Sequence, residues 1–327
     1  MIDRFQKLAC VTLLIGAAAL STTSLAQTSD YPNQPIKIVI GFTPGGSTDT
    51  VGRQLANAFS KILGQSVIVE NKPGANGNLA TDAVRRATPD GYTIFYTSIG
   101  HVTNTLIYKD AKYDPIKDFT PIGQVLAGPN VLVVPGNSKF KTLQELIDYG
   151  KANPGKINFA SSGIGSSLHL SGELFKQLSG VDMVHIPYKG AGSLMPHLLS
   201  GTVDLAFPNL PSGLALAEQG QLRALGVTTS TRSNAAPNVP TIAEAGVPGY
   251  DMSTWYGLVG PANLPPSVQK KLSDALVQTV NDPEFKARLI AQGMDPRPST
   301  PPEFARFIQA EALKWAAILK DMDIKAN

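Results

Sequence analysis

Two segments of this 327-residue chain place hydroxyl side chains on a glycine turn straight after an apolar run. Residues 36–50 read IKIVIGFTPGGSTDT, with Gly46, Ser47, Thr48 and Asp49 in the turn. Residues 157–170 read INFASSGIGSSLHL, with Ser162, Gly163, Gly165, Ser166 and Ser167 in theirs. Each turn is followed by apolar residues at helical spacing: Val51, Leu55, Phe59 and Ile62 after the first, Leu174, Phe175 and Leu178 after the second. A glycine turn at the start of a helix leaves backbone N–H groups without partners at the positive end of the helix dipole. Such a turn holds a carboxylate or phosphate without a lysine or arginine. Two in one chain suggest an anion clamp with two jaws.

Other residues are candidates to complete the site. His101 and His169 each follow a hydroxyl-bearing loop, 97–100 with Ser98 and 166–167, and could donate to an anion, although each alone reads more simply as a surface or supporting histidine. Tyr188 opens a third glycine loop, 188–192, which reads equally as a plain connection or a ligand contact. Asn209 ends the run Phe207-Pro208-Asn209, and Phe42 precedes the first turn. Phe42, Tyr92, Tyr188 and Phe207 could line an apolar slot. Trp255 reads more simply as core. Asp49 is expected to favour the first turn of its helix and orient the loop rather than act as a base. Catalysis finds little support. No G-x-S-x-G elbow is present, residues 45–48 lack the lysine and spacing of a P-loop, and the four histidines form no metal-ligand spacing. No catalytic residue, metal site or cofactor is expected.

The elements that would carry these turns alternate strand and helix, which favours an α/β architecture with largely parallel sheets. Strands are expected at 36–40, 67–70, 92–97, 157–160, 183–187, 203–207, 222–227 and 253–259. Helices are expected at 48–63, 78–87, 143–152, 167–179, 193–200, 266–281, 284–291 and 302–322. The extended stretch 119–134 and the strand near 254–257 read as two crossings between domains. The expected organisation is therefore a first domain built from 27–125 and 254–327, with 126–253 inserted as a second. Ligands of open α/β sheets sit at the carboxyl ends of strands, where both turns lie. Facing domains would bring both turns to one cleft, with the crossings as a hinge.

Composition bounds the rest. A net charge of +3 with no basic stripe argues against nucleic acid. Arg4 and Lys7 precede an alanine-rich apolar run, and Ser24-Leu25-Ala26 has the small residues of a cleavage site, so residues 1–26 read as a secretory signal peptide. Cys10, the single cysteine, lies within it. A soluble exported protein, acting as a monomer, is expected.

Beyond these readings, the chain from Tyr31 onward resembles the Bug family of extracytoplasmic solute receptors, the binding components associated with tripartite tricarboxylate transporters. The resemblance rests on 42–49 with Arg53, and on 69–75, 89–93, 118–121, 187–190, 240–246 and 255–258. It implies a fold like the type II periplasmic binding proteins, with two α/β domains closing on a small carboxylate. In that family a strand–helix loop from each domain holds the carboxylate, which carries over here to Gly46, Ser47 and Thr48 and to Ser162, Gly163, Gly165, Ser166 and Ser167. The implied partners are inner-membrane transporter subunits. A receptor that engages a membrane sensor is the alternative, and a secreted hydrolase is a more distant one. The ligand is left open among mono- and dicarboxylates, aromatic ones included.

Overall fold

A computed structural model describes residues 31–320, together with 322 and 324. The expected signal peptide, with Cys10 and the cleavage position, lies outside the described residues. The described residues from 34 onward form one compact unit.

The chain opens with β1 (Ile36–Ile40), α1 (Ser47–Leu63), β2 (Val67–Asn71), α2 (Asn78–Arg85), β3 (Thr93–Ser98) and α3 (Gly100–Ile107). Strand β4 (Phe119–Pro129) passes through Asn130 into β5 (Val131–Pro135). There follow α4 (Leu143–Ala152), β6 (Ile157–Ser161), α5 (Ser167–Ser179), β7 (Met183–Pro187), α6 (Ala191–Leu199), β8 (Leu205–Ala206), α7 (Leu210–Glu218) and β9 (Leu222–Val227). The last elements are β10 (Ser253–Pro261), α8 (Pro266–Asn281), α9 (Pro283–Ala291), β11 (Asp295–Pro296) and α10 (Pro301–Lys320).

Among the described residues these strands make two sheets, a six-stranded one in the order β11-β4-β10-β3-β1-β2 and a five-stranded one in the order β7-β6-β8-β5-β9. Both are mixed. Strand β1 runs parallel to β2 and β3, and β10 runs antiparallel to β3 and β4. Strand β6 runs parallel to β7 and β8, and β5 runs antiparallel to β8 and β9. The chain leaves the first sheet through β4 and returns to it in β10. These two strands lie side by side, Ser253 opposite Pro129 and Pro261 opposite Phe119.

Sequence explains why both sheets are covered. Strand β5 is buried throughout, and the period of two sends Leu132 and Val134 into one apolar layer with Leu143, Leu146 and Phe175. Val131 and Val133 enter the other layer, with Leu194, Leu198 and Leu210. Buried on both faces, such a strand reads as a continuous apolar run. Helix α1 buries Val51, Leu55 and Phe59 along one stripe and stops at Gly64, whose φ of 67° supplies the left-handed cap.

Two helices depart from the sequence reading. Residues 100–107, to which the sequence reading assigns no element, form α3, which is buried on most sides and so shows no amphipathic stripe. Helix α7, also unexpected, is short and begins at Asn209-Leu210-Pro211. The strand expected at 203–207 shrinks to Leu205–Ala206. Among the described residues no helix is long and apolar enough to cross a membrane.

Candidate functional site

The first turn lies between β1 and α1. Gly46 caps α1 with no side-chain cap bond, so the opening N–H groups of the helix face outward with their dipole. Asp49 is the brace of this turn. It accepts from Gly45 N–H at 3.2 Å, Arg53 Nε at 3.0 Å and Asn71 Nδ2 at 2.9 Å. Burial pushes its carboxyl pKa up, but those three donors outweigh it and hold it below the usual carboxylate range. Asn71 also donates to Phe42 O at 3.0 Å, fixing the strand end that leads into the turn.

The second turn lies between β6 and α5. Ser166 caps α5 by accepting from His169 N–H at 3.2 Å, which leaves its own hydroxyl hydrogen free to donate. Gly165 adopts a φ of 82°, in the left-handed region, and its N–H donates to His169 Nδ1 at 3.0 Å. Ser161 Oγ accepts from Gly163 N–H at 3.1 Å and sits 2.6 Å from His185 Nε2. The His169 and His185 rings stack at 3.8 Å behind the turn. Burial, and then the neighbouring His169, push His185 down to about 3. His169 thus supports the turn from behind instead of donating into the cleft.

The two turns meet around a small cavity of about 20 Å³. The first sheet contributes Phe42, Thr43, Gly46, Thr48, Ser98 and Tyr256 to its wall. The second contributes Ser162, Ser166, Ser167, Leu168, Ala191 and Asn209. The wall holds hydroxyls, an amide and backbone, and no lysine, arginine, aspartate or glutamate. Space for roughly one water molecule cannot hold an organic acid, so binding requires the walls to part. The contacts that hold them together are tight. An added Cβ at Gly192 would lie 2.1 Å from Pro44 O, and one at Gly190 would lie 2.5 Å from Thr43 Oγ1. Thr103 Oγ1 donates to Gly165 O at 2.9 Å, and Tyr108 OH donates to Ile164 O at 3.0 Å.

Of the expected site residues, Phe42, Gly46, Thr48, Ser98, Ser162, Ser166, Ser167 and Asn209 are brought together on this wall. Gly163 and Gly165 stand behind it, against Asn76. Ser47 is buried without a hydrogen-bond partner and lies outside the wall, as does Asp49. Tyr188 is half-buried, with its ring 5.0 Å from His197, away from the cavity. Phe207 packs in the core beside Phe175 and Tyr92 lies outside the wall, so of the expected aromatic slot only Phe42 lines the cavity. Trp255 donates to Glu311 at 2.9 Å and packs edge-on to Phe304 and Phe307, in the core as expected.

His101 needs correction. It sits on α3 at 1% exposure, its ring 4.8 Å from Phe119 and its Nε2 2.8 Å from Pro115 O, so it faces the core and not the cavity. Burial pushes it down to about 4 despite the Pro115 carbonyl. A stability effect follows. Between the unfolded value of about 6.5 and the folded value of about 4, the unfolded chain binds a proton that the folded chain refuses. The stabilisation is therefore complete above pH ~6.5 and is lost as pH falls, by on the order of 3 kcal/mol for this group alone. Urea unfolding at pH 7 and pH 4.5 should show that loss, and His101→Phe should show a shallower one. Equal slopes would exclude His101 as a contributor.

Four wall residues were not among the expected site residues, Thr43, Leu168, Ala191 and Tyr256, and Tyr256 is the one that links the two halves of the wall. Its OH accepts from Thr48 Oγ1 at 3.1 Å and donates to Asn209 Oδ1 at 2.8 Å, so it joins the two sheets inside the cavity wall. Its signals in the sequence were its place in the segment 255–258, which carries the family resemblance, and in a strand expected to cross between domains. Among the described residues no group of three His, Cys, Asp or Glu could hold a metal ion. A larger groove of about 760 Å³ runs along α8 and α10, but no glycine turn faces it.

Two mixed α/β sheets with covering helices, and strands that pass between them beside a small polar cavity, define a periplasmic binding protein fold. The structure of the periplasmic binding protein BugD aligns with a TM-score of 0.87 and 33% identity, over 91% of this chain and 100% of that one. A protein of R. palustris solved with adipate aligns at 0.86 and 35%, over 89% and 97%. MatC of Rhodopseudomonas palustris, solved with bound malate, aligns at 0.84 and 31%, over 88% and 100%. Among curated relatives, Protein BugT of Bordetella pertussis is 34% identical over 320 residues, 97% of this chain and 98% of its own length. Residues 51–324 match the family described as the tripartite tricarboxylate transporter family receptor, TctC. The chain belongs to that family, the Bug receptors.

Proposed function

We propose that this chain is a periplasmic receptor that captures a small organic carboxylate and delivers it to the membrane subunits of a tripartite tricarboxylate-type transporter, without catalysis. The observation that carries the reading is the cavity wall, in which both helix-initiating turns converge and every polar group is neutral. Fixed hydroxyls and N–H dipoles satisfy a carboxylate without burying a second charge. Adipate and malate in related structures support the same ligand class. In this reading residues 27–125 with 254–327 form one domain and 126–253 the other. The signal peptide is removed after Ala26, and the cleft opens about Asn130 and the start of β10. Ser162, Ser166 and Ser167 grip from one side, and Gly46 and Thr48 from the other.

Thermal unfolding against a panel of carboxylates tests the proposal, after any copurified ligand has been removed by refolding. A ligand at 100 times its Kd that binds only the folded state adds about 2.7 kcal/mol, a shift of a few degrees for a chain of this size. No shift with any aliphatic or aromatic acid would refute it.

A further inference from the structure

The polar network on the cavity wall narrows the ligand class further, an inference that rests on the carboxylate reading above. Tyr256 lies in β10 of the first sheet, Asn209 lies beyond β8 at the start of α7 and is bridged to Asn130, and both are 4% exposed. The Asn209 amide is oriented by a chain of bonds behind it. Its Nδ2 donates to Asn130 Oδ1 at 2.7 Å, and Asn130 Nδ2 donates to Ser171 Oγ at 3.0 Å. Asn209 therefore turns its acceptor oxygen toward the cavity. On the other side, the Tyr256 ring is stacked on Tyr96 at 5.4 Å and its hydroxyl is occupied as an acceptor by Thr48. What Tyr256 turns toward the cavity is its hydrogen.

Tyr256 rides on β10 and Asn209 on the start of α7, so a ligand that parts the walls along this contact comes between the donor and the acceptor. Whatever atom comes between them must accept from one and donate to the other. A carboxylate oxygen accepts from Tyr256 but meets Asn209 Oδ1 oxygen to oxygen. A methylene leaves both groups unsatisfied, at a cost typical of buried polar groups. A hydroxyl group does both. We infer that Tyr256 and Asn209 form a reader for a ligand hydroxyl, so that the site selects hydroxy acids over the same acids without the hydroxyl.

The test is calorimetric titration of the ligand-free protein with three matched pairs, propionate and lactate, succinate and malate, phenylacetate and mandelate. The expected result is that the hydroxy acid binds about tenfold more tightly in the pair that fits the cleft. Tyr256→Phe keeps the ring against Tyr96 and should reduce that ratio to about threefold or less. Equal affinity within every pair that binds, or a ratio unchanged in Tyr256→Phe, would overturn the inference and leave the carboxylate reading standing. Binding of none of the six acids would overturn both. The wild-type comparison decides the matter even if the variant is unstable.

Discussion

Gly192→Ala is expected to weaken carboxylate binding by about a hundredfold without loss of folding. Gly192 is the second residue of α6, and its φ is not in the left-handed region, so alanine suits its backbone. In a helix alanine is favoured over glycine by up to about 1 kcal/mol. The obstacle comes only from across the cleft, where the added methyl would lie 2.1 Å from Pro44 O, a backbone atom of the first turn. That overlap can be relieved by parting the walls. Overpacking of this kind costs about 1–3 kcal/mol, and where the ligand-bound state re-forms the contact between Gly192 and Pro44 at the edge of the cleft it lowers apparent affinity by up to roughly two orders of magnitude. Calorimetric titration would give the affinity, and small-angle scattering at saturating ligand would show a more open molecule than the wild type. Wild-type affinity in a variant with an unchanged melting temperature would mean that the contact between Gly192 and Pro44 plays no part in closure.

The second large effect is expected at Ser166. Its oxygen caps α5 through His169 N–H, and its hydroxyl hydrogen is available to the cavity. Alanine there removes two separable contributions. Loss of the cap should lower stability by about 1 kcal/mol, and loss of a donor to a charged ligand should weaken binding by about 1.5–3 kcal/mol, or roughly 10- to 150-fold. Ser47→Ala is the informative comparison. Ser47 opens α1 in a similar setting, but its oxygen has no partner and lies outside the cavity wall, so its affinity loss should be well below that of Ser166→Ala. Equal losses would mean that the ligand-bound cleft rearranges the first turn, and no loss at Ser166 would remove it from the site.

Several features were legible because they are local. The strand, glycine turn and helix of each jaw are written within about fifteen residues, since apolar periodicity, turn chemistry and caps act over a few positions. Gly46, Thr48, Ser162, Ser166 and Ser167 were accordingly found from sequence, and the structure brings them to one wall. His101 was misjudged for the same reason. Its neighbours in sequence are hydroxyl-bearing and glycine-rich, but its neighbours in space are Phe119, Tyr113 and the Pro115 carbonyl. Helix α3 hid itself because a helix buried on most sides loses the amphipathic pattern that would announce it.

Sequence by itself determined the α/β alternation, the two helix-initiating turns and the neutral character of their donors. Tertiary structure alone decided which groups share a wall. Thr48 and Tyr256 are 208 residues apart, and Tyr256 and Asn209 are 47 apart. They meet because β10 re-enters the first sheet beside β3 and β4, while Asn209 opens α7 and is bridged to Asn130, between β4 and β5. No local pattern encodes that pairing, because its hydrogen bonds form only after strands distant in sequence have packed.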